Sequence, residues 1–507
     1  MPFNPVEQRL LDLAAHWETF QADPGKRLLI WQADENSLRF YQCFFEVQKY
    51  ETEYTVGSLF IVLDTPFLNA IQYSRELKES LAGQYQASLE DLKQQGISPD
   101  WQFNPEEYPD SASGFVQSLL SFGSSHHQNI GHLVAVLMPS DVTDNEAFSA
   151  WLTRVLAGRL PERLRFVVID SLNTPRLSPL IAAENQQIQV DSPKIDALTT
   201  AQETFAQEKT VGPAGVFRNF LIGLMTLVEK GSVEQVKIKA VDALKFARKQ
   251  NWAEQEFVVT MLVAGALLKE KRFNEAVKDY QGARQVAEKA IADGHPSGRE
   301  LVLQTWFGQA AAHLAAGELE KAAECYDQAA ILAQQIPNVI LGIEAFRMGC
   351  FCFSRLQETD AAMDRGQKAL ILGTRLKPDV RNMTTMPIAA LDLLRVIDPE
   401  RVMRMGDIKY RQNIRIENSR KNAEQRGIKL EQTSDPGPFH VIEDDLEKET
   451  RQAKLTAAQQ LDICVREASE PFKQSVNNAN DLLGASWLLD TLMATPLERT
   501  ATGADTP

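Results

Sequence analysis

A repeat in the middle of this 507-residue chain limits the fold more than any other feature of the sequence. From about residue 216, four segments carry a small or β-branched residue followed by further, mostly small or tyrosine, residues at +4 and +7. The four sets are Val236, Ala240 and Ala243; Ala276, Tyr280 and Ala283; Ala322, Tyr326 and Ala329; and Ala362, Gly366 and Ala369. Small residues at this spacing let two helices approach closely. One helical hairpin cannot bury its apolar face alone, so the pattern predicts a stack of hairpins.

Two further landmarks recur around each set. Twelve residues earlier lie Leu224, Ala264, Ala310 and Cys350, all compatible with close helix packing. Between these residues and the sets are turn-like stretches at 229–232, 269–272, 316–318 and 357–359. Each hairpin is therefore predicted to have a first helix before the turn and a second helix after it.

The third segment carries a resemblance to a known family. It contains Trp306-Phe307-Gly308-Gln309-Ala310, then a run from Gly317 to Ala329, with Pro337 beyond. This pattern resembles a tetratricopeptide repeat (TPR), and Lys271 to Tyr280 in the second segment is similar. The other two copies are degenerate, and the spacing exceeds the usual value of about 34 residues. The resemblance covers roughly residues 216–378 and implies a solenoid that binds proteins.

The first 210 residues have a different pattern, in which short apolar runs alternate with longer amphipathic stretches. Strands are predicted at 28–31, 59–64, 132–138 and 164–170, and helices at 6–20, 40–50, 67–95 and after a capping Asp144. The strands are continuously apolar, which is typical of a parallel sheet covered by helices on both faces.

The predicted fold class is therefore α/β plus all-α. The predicted domains are an α/β NTPase-like domain without a Walker A motif (1–210), a TPR-like α-solenoid (216–400), a charged helical region (401–500) and a disordered tail (501–507). A break is expected at 434–438, where the sequence is Ser-Asp-Pro-Gly-Pro.

The order of elements in the first domain invites comparison with P-loop nucleotide hydrolases. Those proteins place a glycine-rich loop and a lysine directly after the first strand. Here that strand is followed by Gln-Ala-Asp-Glu-Asn-Ser, and its carboxylates, including Asp34, would repel a phosphate. Asp64 and Asp170 each end an apolar strand, as a magnesium-binding aspartate would. The favoured interpretation is that they cap the following turns.

The outline as a whole, an α/β unit followed by helical repeats, resembles signalling NTPases with repeat sensors. That resemblance implies a degenerate relative that does not hydrolyse nucleotide. No catalytic residue, cofactor or metal is predicted. His126 and His127, considered together with His132, are expected to be solvated loop residues rather than metal ligands. A nucleophile at Ser124 or Ser125 is disfavoured because no third group is evident.

Charge argues against a protein whose whole surface binds nucleic acid. The chain has 53 Lys and Arg against 68 Asp and Glu, a net charge of −15. One basic stretch, 401–426, is the best candidate for an electrostatic contact, through Lys409, Arg411 and Arg415. The favoured interpretation is a solvated helix face, and an acidic protein partner is the alternative.

The cysteines and the N-terminus predict a cytoplasmic protein. There are five cysteines, which favours free thiols in a reducing compartment. Neither a signal peptide nor a membrane-spanning run is visible.

These observations predict a non-enzymatic adaptor, chaperone or scaffold that binds protein partners through the helical repeats. The outline also occurs in bacterial effector-delivery systems of the type VI kind. The lining positions predicted on first helices are Gln304, Gln309, His313, Arg347 and Met348. The alternative is an ATP- or GTP-dependent switch that uses Asp34, Asp64 and Asp170. The oligomeric state is left open, with the apolar residues Trp487, Leu488, Leu489 and Leu492 able to pair chains if they do not pack on the solenoid.

Overall fold

The computed structural model describes residues 4–50, 52–94, 96–128, 130–207, 212–433 and 439–493. The predicted tail at 501–507 and the predicted break at 434–438 lie outside these residues. The chain forms two compact units: unit 1 contains residues 1–208 and 416–451, and unit 2 contains residues 209–415 and 452–507. This division differs from the predicted boundaries, because a late segment of the chain belongs to the first unit.

Unit 1 is built on a parallel sheet of five strands. The strands are β1 (Leu28–Ala33), β2 (Ser58–Leu63), β3 (His132–Leu137), β4 (Leu164–Ser171) and β5 (Ile188–Asp191), in the spatial order β2-β3-β4-β1-β5. All four strand pairs are parallel, with Leu28 opposite Phe166 and Leu59 opposite Leu133. The predicted parallel sheet is thus confirmed. The short strand β5 was not predicted.

Helices cover both faces of this sheet. They are α1 (Pro5–Gln21), α2 (Leu38–Val47), α3 (Ala70–Gln94), α4 (Ala112–Ser125), α5 (Asn145–Ala157), α6 (Ser178–Ala182) and α7 (Ala197–Gln207). Side chains alternate along each strand. Leu28 and Ile30 pack with α3, α4 and α5, whereas Leu29 and Trp31 pack with α1 and α2. Asp144 caps α5 as predicted, accepting bonds from two backbone N–H groups.

Unit 2 begins with four helical hairpins. They are α8 (Pro213–Lys230) with α9 (Val233–Lys249), α10 (Ala253–Lys269) with α11 (Phe273–Ala292), α12 (Gly298–Ala315) with α13 (Leu319–Gln335), and α14 (Val339–Arg355) with α15 (Thr359–Gly373). Each turn falls where the sequence predicted it. All twelve residues of the four predicted sets are buried, as are the four residues twelve positions earlier. The predicted stack of helical hairpins is therefore confirmed.

The rest of unit 2 is also helical. It contains α16 (Pro378–Arg381), α17 (Met386–Ile397), the first part of α18 (Pro399–Glu431), the last part of α19 (Phe439–Arg466), α20 (Glu470–Leu483) and α21 (Trp487–Thr491). Trp487 and Leu488 are buried and pack in one apolar cluster with Phe346, Met386 and Phe472. They therefore pack on the solenoid, which removes the sequence-based reason to expect that they pair two chains.

The remaining parts of α18 and α19 pack on the α/β part of unit 1. We call this segment, residues 416–451, the C-terminal hairpin segment. Ile71 of α3 packs with Ala423, Phe439 and Ile442 of the segment. Within the described residues, no helix is both long and apolar enough to cross a lipid bilayer.

Candidate functional site

Ion pairs tie the second helices of successive hairpins together. Arg365 of α15 forms a bidentate salt bridge with Asp327 of α13, in which Nε and Nη2 donate to the two carboxylate oxygens at 3.1 and 2.6 Å. This hydrogen bonding raises the pKa of Arg365. Lys237 of α9 forms a single ion pair with Glu275 of α11, with 2.8 Å between Nζ and the carboxylate. Bidentate arginine–carboxylate pairs fix the relative orientation of the two side chains and also contribute to stability. The pairs therefore hold neighbouring second helices at a set separation.

A groove of about 280 Å³ lies between α13 and α15. We call it the α13–α15 groove. Phe346 and Leu372 are buried in its floor, and Ile331 and Ile371 form its apolar walls. Its rim is basic, because it carries Lys368 and the exposed Arg375. The groove thus offers apolar pockets beside positive charge.

A larger groove of about 520 Å³ lies on the other side of α15. We call it the α15–α20 groove. It is lined by Met363, Leu370 and Ile371 of α15, by residues of α17, and by α20. Helix α20 is held against this part of the unit by its buried Phe472 and by hydrogen bonds from Arg381 and Asn382 to the carbonyls of Leu482 and Leu483. The lining on the α20 side is mostly neutral and polar, with Gln474, Ser475 and Asn478.

Ile371 lines both grooves. Its side chain is 68% exposed. Lys368, one turn away, is bonded to Asp364 at 2.7 Å and lowers the pKa of that carboxyl. Arg375 has no acidic partner among the described residues. Ile371 of α15 therefore forms an apolar crest between the two grooves. Arg375, just after the helix, adds a positive charge that no described acidic residue neutralises.

The predicted lining residues on first helices are placed differently. Gln304 is exposed, but Gln309 and His313 are buried and lie 3.4 Å apart, and His313 also contacts Glu318 at 2.6 Å. Hydrogen bonds from Lys321 and from His313 lower the pKa of Glu318. Gln309 and His313 therefore hold the α12–α13 turn together.

Arg347 and Met348 on α14 are half-buried. Arg347 bonds Glu344 at 2.6 and 2.8 Å and pairs with Asp392 of α17 at 3.3 Å. The bond with Glu344 is the main cause of its raised pKa. Arg347 thus links α14 to α17. Partner binding by the five predicted residues stays a prediction, and the structure brings none of them into either groove beside α15.

The basic stretch forms part of one long helix, α18. Arg411 is exposed and pairs with Asp407 of the same helix at 2.6 Å. Arg415 is exposed and Lys409 is half-buried. This arrangement agrees with a solvated helix face, and an acidic partner at these three residues stays a prediction.

The three aspartates at the carboxyl edge of the sheet differ in environment. Asp170 is buried, and its carboxylate accepts bonds from the N–H groups of Ser171, Arg176 and Leu177 at 2.9 to 3.1 Å. Asp34 accepts from the N–H of Ser37 at 2.9 Å. Asp64 is exposed. Asp170 is therefore a turn cap, as the favoured interpretation held. Asp34 also caps a turn, which was not predicted, whereas the predicted cap by the Asp64 carboxylate is not seen among the described residues. The described residues contain no cluster of three or more side chains suited to a metal ion.

The histidine prediction was wrong for His126. Gly123, Ser124 and Ser125 form the end of α4 rather than a loop, and His126 directly after them is only 6% exposed. It packs between the rings of Tyr85 and Phe122. His127 is exposed, as expected.

Sequence reasoning missed the two grooves beside α15. The available signal was Ile331 and Ile371, which both stand nine positions after the first residue of their set. The other two copies have Lys245 and Gln285 at this position, and all four side chains are exposed.

The chain has only weak structural similarity to known proteins. No protein-family model and no curated protein matches the chain. Among solved structures, the apo form of RapI is similar at 11% identity, covering 90% of this chain and 98% of its own, with a TM-score of 0.28. A signal transduction ATPase with numerous domains and a tetratricopeptide repeat sensor, from Pyrococcus horikoshii, is similar at 12% identity, covering 91% and 83%, with a TM-score of 0.21. Likenesses this slight assign neither a function nor a site.

Proposed function

We propose that this chain is a non-enzymatic protein-interaction module, an adaptor or chaperone that holds a segment of a partner across helix α15. The observation that carries the proposal is Ile371, 68% exposed between two grooves of about 280 and 520 Å³. Exposed apolar surface rimmed by polar residues is typical of protein–protein contacts. Solenoids of helical hairpins present such surfaces on a fixed scaffold.

The preferred partner segment is an amphipathic helix or short peptide with apolar residues on one face and acidic residues beside them. The apolar side chains would enter the grooves on either side of Ile371, as in other helix-in-groove complexes. The acidic residues would face Arg375 and Lys368. Exposed Arg375 lacks an acidic partner among the described residues, so it is available for this contact.

The test compares two matched variants. Ile371→Asp places a charge on the proposed crest. Ile238→Asp makes the same change on α9, which belongs to the first hairpin rather than the fourth and where the isoleucine is 73% exposed. We expect Ile371→Asp to lose the bound partner and Ile238→Asp to keep it. Tagged forms of both variants and of the unaltered chain would be used to capture partners from the source organism, with quantification by mass spectrometry.

Both substitutions are at exposed sites, so we expect each to change the free energy of unfolding by no more than about 0.5 kcal/mol. Circular dichroism melts check this control. A set of captured proteins that is the same for all three forms would contradict the assignment of binding to α15.

Several finer assignments extend this proposal. A cytoplasmic location is supported by five free cysteines, three of them buried. Burial raises the pKa of the Cys350 thiol to about 12 and that of the Cys325 thiol to about 11, which makes both unreactive. A role in a bacterial effector-delivery system rests only on the outline of the chain.

The nucleotide-dependent switch ranks second because the carboxylates it needs are engaged in turn caps at Asp34 and Asp170. It has a direct test, since a ligand that binds the native state raises its melting temperature. A thermal-shift titration with Mg-ATP and Mg-GTP that gives a saturable rise would favour the switch over the pure adaptor.

A further inference from the structure

Strand β2 forms one edge of the sheet in unit 1, and its outer side is open at Phe60. The carbonyl of Leu63 accepts a bond from the N–H of Met138, just after β3, at 2.8 Å, so the backbone of Leu63 faces β3. Backbone direction alternates along a strand, so Leu59 and Ile61 also face β3 whereas Phe60 and Val62 face outward. The Val62 carbonyl is covered by the side chain of Gln84 at 2.9 Å. The N–H and carbonyl of Phe60 have no partner among the described residues.

An apolar cleft of about 390 Å³ lies directly beside this free edge. Its lining includes Leu59, Ile61, Leu81, Tyr85 and Phe122, from β2, α3 and α4. Leu59 is 39% exposed although it lies in a β-strand. The cleft therefore has the apolar lining expected of a binding pocket.

One residue of the cleft lining has a buried polar atom without a partner. His126 lines the cleft and is 6% exposed, and its Nε2 atom makes no hydrogen bond. Burial lowers the pKa of its imidazole, so the ring is neutral at pH 7. A buried polar group without a partner costs free energy, which a bound group that hydrogen-bonds Nε2 would recover.

We propose that this edge and cleft bind an extended peptide segment of a partner protein, which adds to the sheet as a strand beside β2. The peptide backbone pairs with Phe60, one of its aliphatic side chains fills the cleft, and a polar group hydrogen-bonds His126 Nε2. Strand addition of this kind draws affinity from the backbone and specificity from the pocket.

The features of the edge favour a peptide over other occupants. Unpaired N–H and carbonyl groups on an edge strand match another strand, whereas a small apolar molecule would fill the cleft and leave them open. A second copy of this chain is disfavoured, because two chains of net charge −15 repel each other. This site is independent of the surface on α15.

The test uses a defined probe, a (Thr-Leu)₄-amide peptide with fluorescein on its N-terminal amine, with binding to the full chain followed by fluorescence anisotropy. We expect saturable binding. The same peptide N-methylated at alternate residues keeps its side chains but cannot donate hydrogen bonds along one edge. We expect its affinity for the full chain to be lower by about tenfold or more.

Three variants locate the site. Leu59→Asp should abolish binding, whereas Val190→Asp, at a residue 40% exposed on the opposite edge strand β5, should leave it unchanged. Gln84→Ala uncovers the Val62 carbonyl and should tighten binding. His126→Phe keeps the ring packing but removes Nε2, so we expect roughly three- to tenfold weaker binding with no fall in melting temperature.

Several outcomes would overturn the proposal. They are absence of saturable binding, equal affinity for the N-methylated peptide, or loss of binding in Val190→Asp rather than Leu59→Asp. Loss of probe binding in Ile371→Asp instead would assign the peptide to α15. Self-association that depends on Leu59, without probe binding, would assign the edge to a second copy.

Discussion

At the scale of single residues, close packing of the helices in unit 2 depends on glycine, which has no side chain, as well as on the residues that fill the core. A Cβ atom added at Gly308 of α12 would lie 2.3 Å from the ring of Tyr280 on α11. Real contacts are never this short, so the first helix of one hairpin approaches the second helix of the preceding hairpin only because residue 308 is glycine.

We therefore expect Gly308→Ala to destabilise the protein by about 1–3 kcal/mol, because the ring of Tyr280 must move. Gly265→Ala is the matched control, since a Cβ at that helical position meets nothing within 4 Å. The control should stabilise the protein by up to about 1 kcal/mol, because alanine favours helix over glycine. Urea unfolding of both variants measures the difference, and equal stabilities would contradict the packing argument.

Residue-scale predictions from the sequence succeeded where spacing alone decides burial. Every alanine of the repeat sets is buried because it lies on the face that meets the paired helix. The choice of surface residues was less successful. Gln309 and His313 are polar, but which part of a first helix is covered depends on the neighbouring turn and hairpin, and spacing does not contain that information.

At the scale of elements, the C-terminal hairpin segment acts as a cap for helices of the α/β part of unit 1. Glu424 accepts a hydrogen bond from the N–H of Ala70 at the start of α3, and Glu431 accepts one from Ser113 at the start of α4, at 3.0 Å. The first N–H groups of a helix lack partners within it, and its N-terminus favours negative charge. Arg154 of α5 lies 3.2 Å from Glu431 and 3.9 Å from Glu424.

Burial raises the pKa of Glu424 despite the bond from Ala70 and the charge of Arg154. A carboxyl group with a raised pKa in the folded state holds its proton to higher pH than in the unfolded state. Its contribution to stability is therefore lost as the pH rises from about 4.3, the ordinary value for glutamate, through the folded-state pKa.

We expect Glu424→Gln to remove this loss, because the amide oxygen still accepts the bond from Ala70 without a buried charge. The difference in unfolding free energy between the variant and the original chain should shift in favour of the variant as the pH rises from 5 to 8. Glu417→Gln, on the same helix but paired with Lys421 near the surface, is the control. A difference that is constant with pH would refute this account.

The sequence predicted elements well where their apolar pattern is long. It missed α4, whose helix is rich in glycine and serine, and β5, which has four residues of which only Ile188 is buried. It also could not place the C-terminal hairpin segment, because contact between Ile71 and Phe439 depends on tertiary packing of residues far apart in the chain.

At the scale of the whole molecule, each unit is assembled from two separate stretches of chain. Unit 1 needs residues 416–451, and unit 2 needs residues 452–493 to complete the cluster around Phe472. The predicted solenoid of 216–400 therefore lacks part of the core that the structure shows.

We expect a fragment of residues 1–207 to be less stable than the same residues in the full chain, because Ile71 and the N–H groups of Ala70 and Ser113 lose their partners. A peptide of residues 416–451 should raise the melting temperature of the fragment, and the rise should grow with the logarithm of the peptide concentration above its Kd. A peptide with both Glu424→Ala and Glu431→Ala is the control and should have a smaller effect. Equal effects of the two peptides would show that the carboxylates do not contribute.

The interleaved order of the chain has a consequence for its synthesis. On the ribosome, the α/β sheet emerges long before the glutamates that close its helix ends, and all four helical hairpins must be translated in between. Until residues 416–451 are translated, Ile71 of α3 therefore stays uncovered in the nascent chain. A premature stop anywhere in the repeats would leave both units incomplete, and quality-control proteases are suited to remove such chains.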